Sequence, residues 1–245
     1  MDKENLIYGL RPVIEAIKSG KEIEKIFIQN GLRGEIYIEL FHLLKENDVH
    51  SQYVPVEKLN KLTPKNHQGI VAYTSIISYT KVESVIPFIY EQGKTPLILI
   101  LDRITDVRNF GAITRTAECA GVDAIIVPTR GSAQINSDAV KTSAGALHKI
   151  PVCKSDNLKE TIDYLKKSGL QIIAATEKTD DYIYKTDFLP PTAIIMGSEE
   201  DGVSPEYIRL SDHKVKIPLS GDIESLNVSV ACGVILYEAI RQRTL

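Results

Sequence analysis

The sequence has almost no surplus of charge, few cysteines and no long hydrophobic run, and each shortage removes a class of function. Its 29 Lys and Arg stand against 32 Asp and Glu, a formal net charge of −3 with a pI of about 6.0. Such a balance carries no bulk sign of a polyanion partner, so any nucleic-acid surface must be a local patch. Residues 1–90 hold 11 basic and 11 acidic side chains, so the whole deficit falls in residues 91–245, with 18 and 21. Cys119, Cys153 and Cys232 are odd in number, widely spaced and free of any Cys-x-x-Cys pair. That excludes a disulfide framework and a zinc site and suits a reducing cytosol. The five histidines are equally dispersed, so no metal is expected. Leu97–Leu101, the longest strongly apolar stretch, falls far short of the ~20 residues that span a bilayer. The opening MDKENLIYGL has no apolar h-region or cleavage signature. The expectation is a soluble, cytoplasmic protein.

What is present is an ordinary globular balance, 43% hydrophobic and 25% charged residues. At 245 residues the chain can form one large domain or two small ones. Residues 11–18 and 34–47 read as amphipathic helices, and VEKLNKL as a short one; IEKIFI, HSQYVP and GIVAYTS read as strands. This is a compact α/β unit over residues 1–75. Residues 76–95 read as a linker with a lead-in helix. From Pro96 onward the pattern is regular, with strands at LILIL, DAIIV, QIIAA, TAIIM and HKVKI and helices at 111–120, 157–167 and 227–242. Strand–helix alternation with wholly apolar strands predicts a parallel sheet covered on both faces. Such sheets carry ligands in the loops beyond the carboxyl ends of their strands.

Three of those loops are unusual. The first, Asp102-Arg-Ile-Thr-Asp-Val-Arg-Asn-Phe-Gly-Ala-Ile-Thr-Arg115, holds three arginines that suit phosphate oxygens. Its plainer reading is a helix capped by Asn109 and flanked by solvated charges, with Gly111 permitting a close backbone approach. The second, Gly197-Ser-Glu-Glu-Asp-Gly202, has the glycines of a tight turn, and its three acids suit a cationic ligand such as a sulfonium. Its plainer reading is a solvated acidic turn before a helix at 205–210. The third runs from Pro218 to Gly233, with Ser225 and Asn227 placed to cap an apolar helix. Its small residues Ser229, Ala231 and Gly233 suit helix packing. Neither the Gly-x-x-x-x-Gly-Lys-Ser/Thr phosphate loop nor the Gly-x-Gly-x-x-Gly fingerprint is present.

Taken in this order, the loops resemble the signature motifs of the SpoU (TrmH-like) branch of the SPOUT methyltransferases. Asn109-Phe-Gly-Ala-Ile-Thr-Arg115 is similar to the first motif and Met196-Gly-Ser-Glu-Glu-Asp-Gly202 to the second. Ile217-Pro-Leu through Ser225-Leu-Asn-Val-Ser-Val-Ala231 is similar to the third. The resemblance covers residues 96–245. A weaker one covers residues 1–75, where Ile7-Tyr-Gly9 and His67-Gln-Gly69 resemble the small RNA-binding domain of the ribosomal members. Two departures stand out: Val107 replaces a proline common in relatives, and Glu200 a common glycine.

The resemblance implies a fold and an activity. The fold is a small α/β RNA-binding domain followed by a parallel-sheet SPOUT domain whose carboxy-terminal segment threads into a trefoil knot. The activity is transfer of a methyl group from S-adenosylmethionine to a ribose 2′-hydroxyl, on a guanosine of 23S rRNA, by a homodimer whose chains share their active sites. By motif position Gly197, Ile217 and Leu226 would hold the adenosine part of the cofactor. Asn109, Arg115, Glu199, Ser225 and Asn227 would form the catalytic set. A guanidinium has a pKa above ~12, so Arg115 suits an electrostatic anchor better than a base. Arg11, Lys58, Lys61 and Lys65 are candidates for phosphate contact in a region that is neutral as a whole. A tRNA substrate and a catalytically silent RNA-binding assembly factor are the alternatives. A small-molecule α/β enzyme is disfavoured by the missing phosphate loops.

Overall fold

The computed structural model describes residues 5–47, 49, 51–133 and 135–244. Residues 1–4 of the opening and His50, at the head of the HSQYVP strand, therefore lie outside the described residues. The chain divides into two compact units, Met1–Ser78 and Tyr79–Leu245.

The first unit runs β1 (Leu6–Tyr8), α1 (Leu10–Lys18), β2 (Ile23–Gln29), α2 (Glu35–Glu46), β3 (Ser51–Val54), α3 (Val56–Leu62) and β4 (Ile70–Thr74). Its sheet has the order β1-β4-β2-β3, with β4 antiparallel to β1 and β2, and β2 parallel to β3. Alternating side chains point to opposite faces. Ile26, Ile28, Ile70 and Ala72 meet α1 and α2 through Val13, Ile14, Ile17, Leu40 and Leu44. Phe27, Val54 and Val71 face the other way and meet Leu59 of α3. The two short motifs of this unit come together where the backbone turns left-handed. Gly9, Gln68 and Gly69 have φ of 92°, 51° and 81°. There the Gly9 N–H donates to the Ile70 carbonyl at 3.1 Å, and the Leu10 N–H to the Gln68 side chain at 3.2 Å.

The second unit runs β5 (Tyr79–Thr80), α4 (Val82–Glu91), β6 (Leu97–Leu101), α5 (Val107–Cys119), β7 (Ala124–Pro128), α6 (Ser137–Thr142) and β8 (Val152–Ser155). It continues with α7 (Leu158–Lys167), β9 (Gln171–Ala175), β10 (Thr192–Met196), α8 (Pro205–Leu210), β11 (His213–Val215) and α9 (Val228–Thr244). Its seven strands are all parallel, in the order β11-β9-β10-β6-β7-β8-β5. β6 and β10 are buried at every position, so both faces are covered. On one face α4 and α7 pack Val85, Ile86, Ile162 and Leu165 onto Ile98, Ile100, Ala193 and Ile195. α5 and α9 carry the apolar surface for the other, burying Phe110, Ile113, Ala117, Cys232, Ile235 and Leu236.

The structure adds to the sequence reading at three places. β8, β5 and α6 were not read; β8 and β5 are four and two residues long and show little periodicity. Residues 76–95, read as linker and lead-in helix, carry β5 and α4, which are paired and packed within the second unit. Gly111 serves helix packing: a Cβ there would lie 2.7 Å from the Thr142 Cβ and 3.0 Å from the Ala139 carbonyl oxygen of α6.

Candidate active site

The chain leaves β6 for β7 and β8 on one side and returns to lay β9 and β10 on the other. The carboxyl ends of β6 and β10 thus lie at a switch point, where open α/β sheets bind ligands. All three unusual loops start from that edge, after β6, β10 and β11.

The first loop is built differently from its plain sequence reading. Asp106, not Asn109, caps α5: its carboxylate accepts from the Asn109 N–H at 2.7 Å. Val107, where relatives often carry proline, takes the first helical position. Asn109 is thereby a third-position residue whose side chain is free for other work. Its Nδ2 donates to Glu199 Oε1 at 2.7 Å. The Asn227 Nδ2 donates to the same Glu199 oxygen at 3.0 Å and to Asn109 Oδ1 at 3.1 Å. Asn227 also does what the sequence suggested, accepting from the Ser229 N–H at 2.9 Å at the head of α9. Three residues 28 to 118 positions apart thus form a closed hydrogen-bonded triangle.

The second loop is a tight reversal. Ser198 and Gly202 exchange backbone bonds at 3.2 and 3.0 Å. A Cβ on Gly197 would sit 1.9 Å from the Gly202 carbonyl carbon, so only glycine lets the strand pass under its own loop. A helix does follow the turn, as the plainer reading had it, and no side chain caps that helix, α8. Arg103 fastens the turn. Its guanidinium reaches Asp201 at 2.9 Å, the Gly202 carbonyl at 3.1 Å and the buried Asp102 at 3.2 Å. Burial alone would lower the pKa of Arg103, but Asp102 and then Asp201 hold it above its ordinary value. Arg103 is thus tied to acids, whereas the sequence had grouped it with Arg108 and Arg115 as a phosphate contact. Its φ of 59°, rare for a side chain of this size, was not legible beforehand.

A cavity of about 750 Å³ opens beside the turn, within the ~300–1,000 Å³ range of small-molecule sites. Gly197, Ile217, Ser225 and Leu226 line it, as does Glu199. Among its wall residues Glu177, Glu199, Glu200, Asp201 and Glu224 outnumber Arg103, Lys178 and Lys216. A wall with more carboxylates than cations fits a positively charged ligand. A smaller cavity of about 220 Å³ shares Arg103, Ser198, Glu199 and Val228 with it and adds Asn109.

Seven of the eight site residues read from the sequence therefore gather at this edge. Arg115 does not. It lies on an exposed stripe of α5 with Arg108, and among the described residues neither has a hydrogen bond or ion pair. Ser225 lines the cavity, exposed and likewise without such a bond. No group of three His, Cys, Asp or Glu among the described residues is placed to hold a metal ion.

Comparison with known proteins gives a consistent picture. Residues 96–237 match the SpoU rRNA Methylase family, and residues 6–80 match the family described as RNA 2′-O ribose methyltransferase substrate binding. A protein of Staphylococcus saprophyticus assigned to the TrmH family of tRNA/rRNA methyltransferases is 36% identical over 98% of this chain and 97% of its own. The SpoU methyltransferase AviRb from Streptomyces viridochromogenes, solved in complex with the cofactor AdoMet, superposes with a TM-score of 0.62. It is 25% identical over 97% of this chain and 90% of that one. The TrmH/SpoU tRNA modifying enzyme of A. aeolicus is 33% identical over 66% of this chain and 83% of its own, with a TM-score of 0.56.

Proposed function

The chain belongs to the SpoU rRNA methylase family, and from that premise we propose that it transfers a methyl group from S-adenosylmethionine to a ribose 2′-hydroxyl, on a guanosine of 23S rRNA. The observation that carries the reading is the Asn109–Glu199–Asn227 triangle at the junction of two cavities. The larger cavity suits the cofactor. Gly197, Ile217 and Leu226 hold its adenosine part there, and the acid-rich wall favours its positive sulfur. When bound, S-adenosylmethionine supplies an already activated methyl group. The protein's task is then to bring one hydroxyl into line and ease the loss of its proton.

In this proposal the smaller cavity receives the ribose. Asn109 and Asn227 fix one oxygen of Glu199, and the triangle sets the hydroxyl beside the larger cavity. Ser225 stands on the cavity wall to hold the substrate or the cofactor. Arg115 is supplied across a homodimer, stabilising the developing alkoxide and gripping the adjacent phosphate. Two features support pairing: Arg115 lines neither cavity of its own chain and has no hydrogen bond to the triangle, and α9 keeps Val230 and Tyr237 more than half exposed opposite its buried side. The carboxy-terminal segment forms the family's trefoil knot in the same reading. Residues 1–75 select the RNA, and residues 76–95 lead into the methyltransferase domain at 96–245. The setting is the cytoplasm, which suits three free cysteines.

The test is methyl transfer from labelled cofactor to purified large-subunit rRNA and to tRNA, with mass-spectrometric mapping of the product. The expected product is a 2′-O-methylguanosine in 23S rRNA, lost in Arg115→Ala and in Glu199→Ala. Mixing those two inactive variants should restore turnover, because a mixed dimer contains one site with both residues intact. Label in tRNA alone would keep the chemistry and overturn the substrate. A mixture without activity would overturn sharing across the dimer.

A further inference from the structure

The sheet face of the first unit that points away from α1 and α2 is only partly covered. α3 shields Phe27, Val54 and Val71, while Tyr8 and Tyr73 on β1 and β4 remain half-buried. Three lysines gather over its rings. Lys25 and Lys58 place their ammonium groups 5.1 and 4.9 Å from the centre of the same ring, Phe27. Lys65 lies 5.6 Å from the centre of Tyr8. The Phe27 and Tyr73 rings meet edge to face, 6.5 Å between centres. Among the described residues none of the three lysines has an ion pair or a side-chain hydrogen bond to an acid.

A surface lysine is ordinarily solvated and mobile, and a carboxylate partner, where it has one, cancels its charge. An aromatic ring fixes position through its quadrupole and cancels nothing. Two ammoniums on one ring also repel each other, and an anion placed between them relieves that repulsion. The unit as a whole is neutral, so this concentration of unpaired positive charge on one face is local. It brings together Lys58 and Lys65, legible from the sequence as phosphate candidates, with Lys25, which was not. Arg11 and Lys61 are exposed as well, but no aromatic ring holds either.

We propose that this face, defined by Lys25, Lys58 and Lys65 over Phe27 and Tyr8, is a docking surface for the phosphate backbone of the substrate RNA. The inference rests on the reading that this unit binds RNA. It adds which face does so and by what chemistry: the three ammoniums contact successive phosphates and carry no base specificity. The aromatic rings keep them in register before RNA arrives, which lowers the entropy lost on binding.

The experiment is filter binding of transcribed 23S rRNA to the full-length protein over a KCl series. In the triple variant Lys25→Gln, Lys58→Gln, Lys65→Gln the slope of log affinity against log salt should fall by about 2, since each single-strand phosphate contact contributes about 0.7. A control with Lys21→Gln and Lys45→Gln, two exposed lysines elsewhere on the unit, should keep the wild-type slope. A triple arginine variant should keep it too. Acylation of wild-type lysines, read by mass spectrometry, avoids any question of folding: RNA should protect Lys25, Lys58 and Lys65 and leave Lys21 and Lys45 reactive. Tight RNA binding with an unchanged slope in the triple glutamine variant, or equal protection of all five lysines, would overturn this face alone. A wild type that binds no RNA even at low salt would overturn the RNA-binding reading on which it rests.

Discussion

β6 and β10 of the second unit are buried at all five positions, whereas β1 of the first unit is half-exposed along its length and β3 buries only Val54. The two sheets therefore have different places to put function. A sheet covered on both faces can present chemistry only at its strand ends, and there Asn109, Glu199 and Asn227 meet. A sheet with one partly open face can use that face, and the unpaired lysines lie there. The contrast is also one of rigidity. The strand-end site is tied by short bonds among loops far apart in sequence, while the lysines keep freedom at the ends of flexible stems.

The largest effect that would sharpen this contrast comes from Gly197→Ala. The added Cβ meets backbone on two sides, 1.9 Å from the Gly202 carbonyl carbon and 2.0 Å from the Val203 nitrogen, so no side-chain shift can relieve it. The turn must open. We expect S-adenosylmethionine affinity, measured by calorimetry, to fall by at least about 100-fold, ~2.7 kcal/mol. RNA affinity should change by less than about 2-fold if the first unit carries it. A parallel loss of RNA binding would show that the two functions are not divided as the sheets suggest.

Arg103→Ala should act in the same direction and less strongly. The Arg103–Asp201 pair is exposed enough to be worth under ~1 kcal/mol. Asp102, at 2% exposure, would however keep only the Ser204 N–H among its hydrogen-bond donors. A rise of about 10-fold in the cofactor dissociation constant, ~1.4 kcal/mol, is expected with RNA affinity intact. If RNA binding suffers instead, Arg103 is the phosphate contact that its position among Arg108 and Arg115 first suggested, and its acid partners are displaced on binding.

How much was legible beforehand follows the same division. β6, β9 and β10 were readable to the residue, because strands whose centres are buried on both faces carry continuous apolar stretches there. β8, with Lys154 in a four-residue span, offered no such run. The motifs picked out seven of the eight site residues that the fold brings to one edge, yet the plainer reading of Asn109 as the cap of α5 does not hold. Asp106 and Asn109 are both good caps, and only the fold decides which carboxyl or amide the helix takes. The grip of Arg103 needs a left-handed residue and a partner 98 positions away, and Lys25 needs a ring two residues along its own strand. The first is not visible in composition or spacing, and the second lay in the two-residue alternation of a strand that the motifs gave no reason to search. Arg115 lines neither cavity and joins the set only under the proposed pairing of two chains, which no single-chain pattern supplies.

The smallest predicted effect tests whether the covered sheet is as closed as its burial implies. All three cysteines lie in the second unit. Burial pushes the Cys153 thiol up to about 11, with Glu83 adding to the shift, and the Cys232 thiol up to about 12. Only the thiolate is a nucleophile, so at pH 8 both should resist a disulfide reagent for as long as the fold persists. At most one thiol per chain, the exposed Cys119, should react in native protein, and all three in denaturant. Because both folded-state values lie above the usual 9.0, these thiols favour the folded state below about pH 9 and lose that contribution as pH rises toward 11 to 12. Rapid reaction of Cys153 at pH 8 would mean that the sheet edge between β7 and β5 opens readily. The rigid half of the comparison would then be confined to the strands nearest the site.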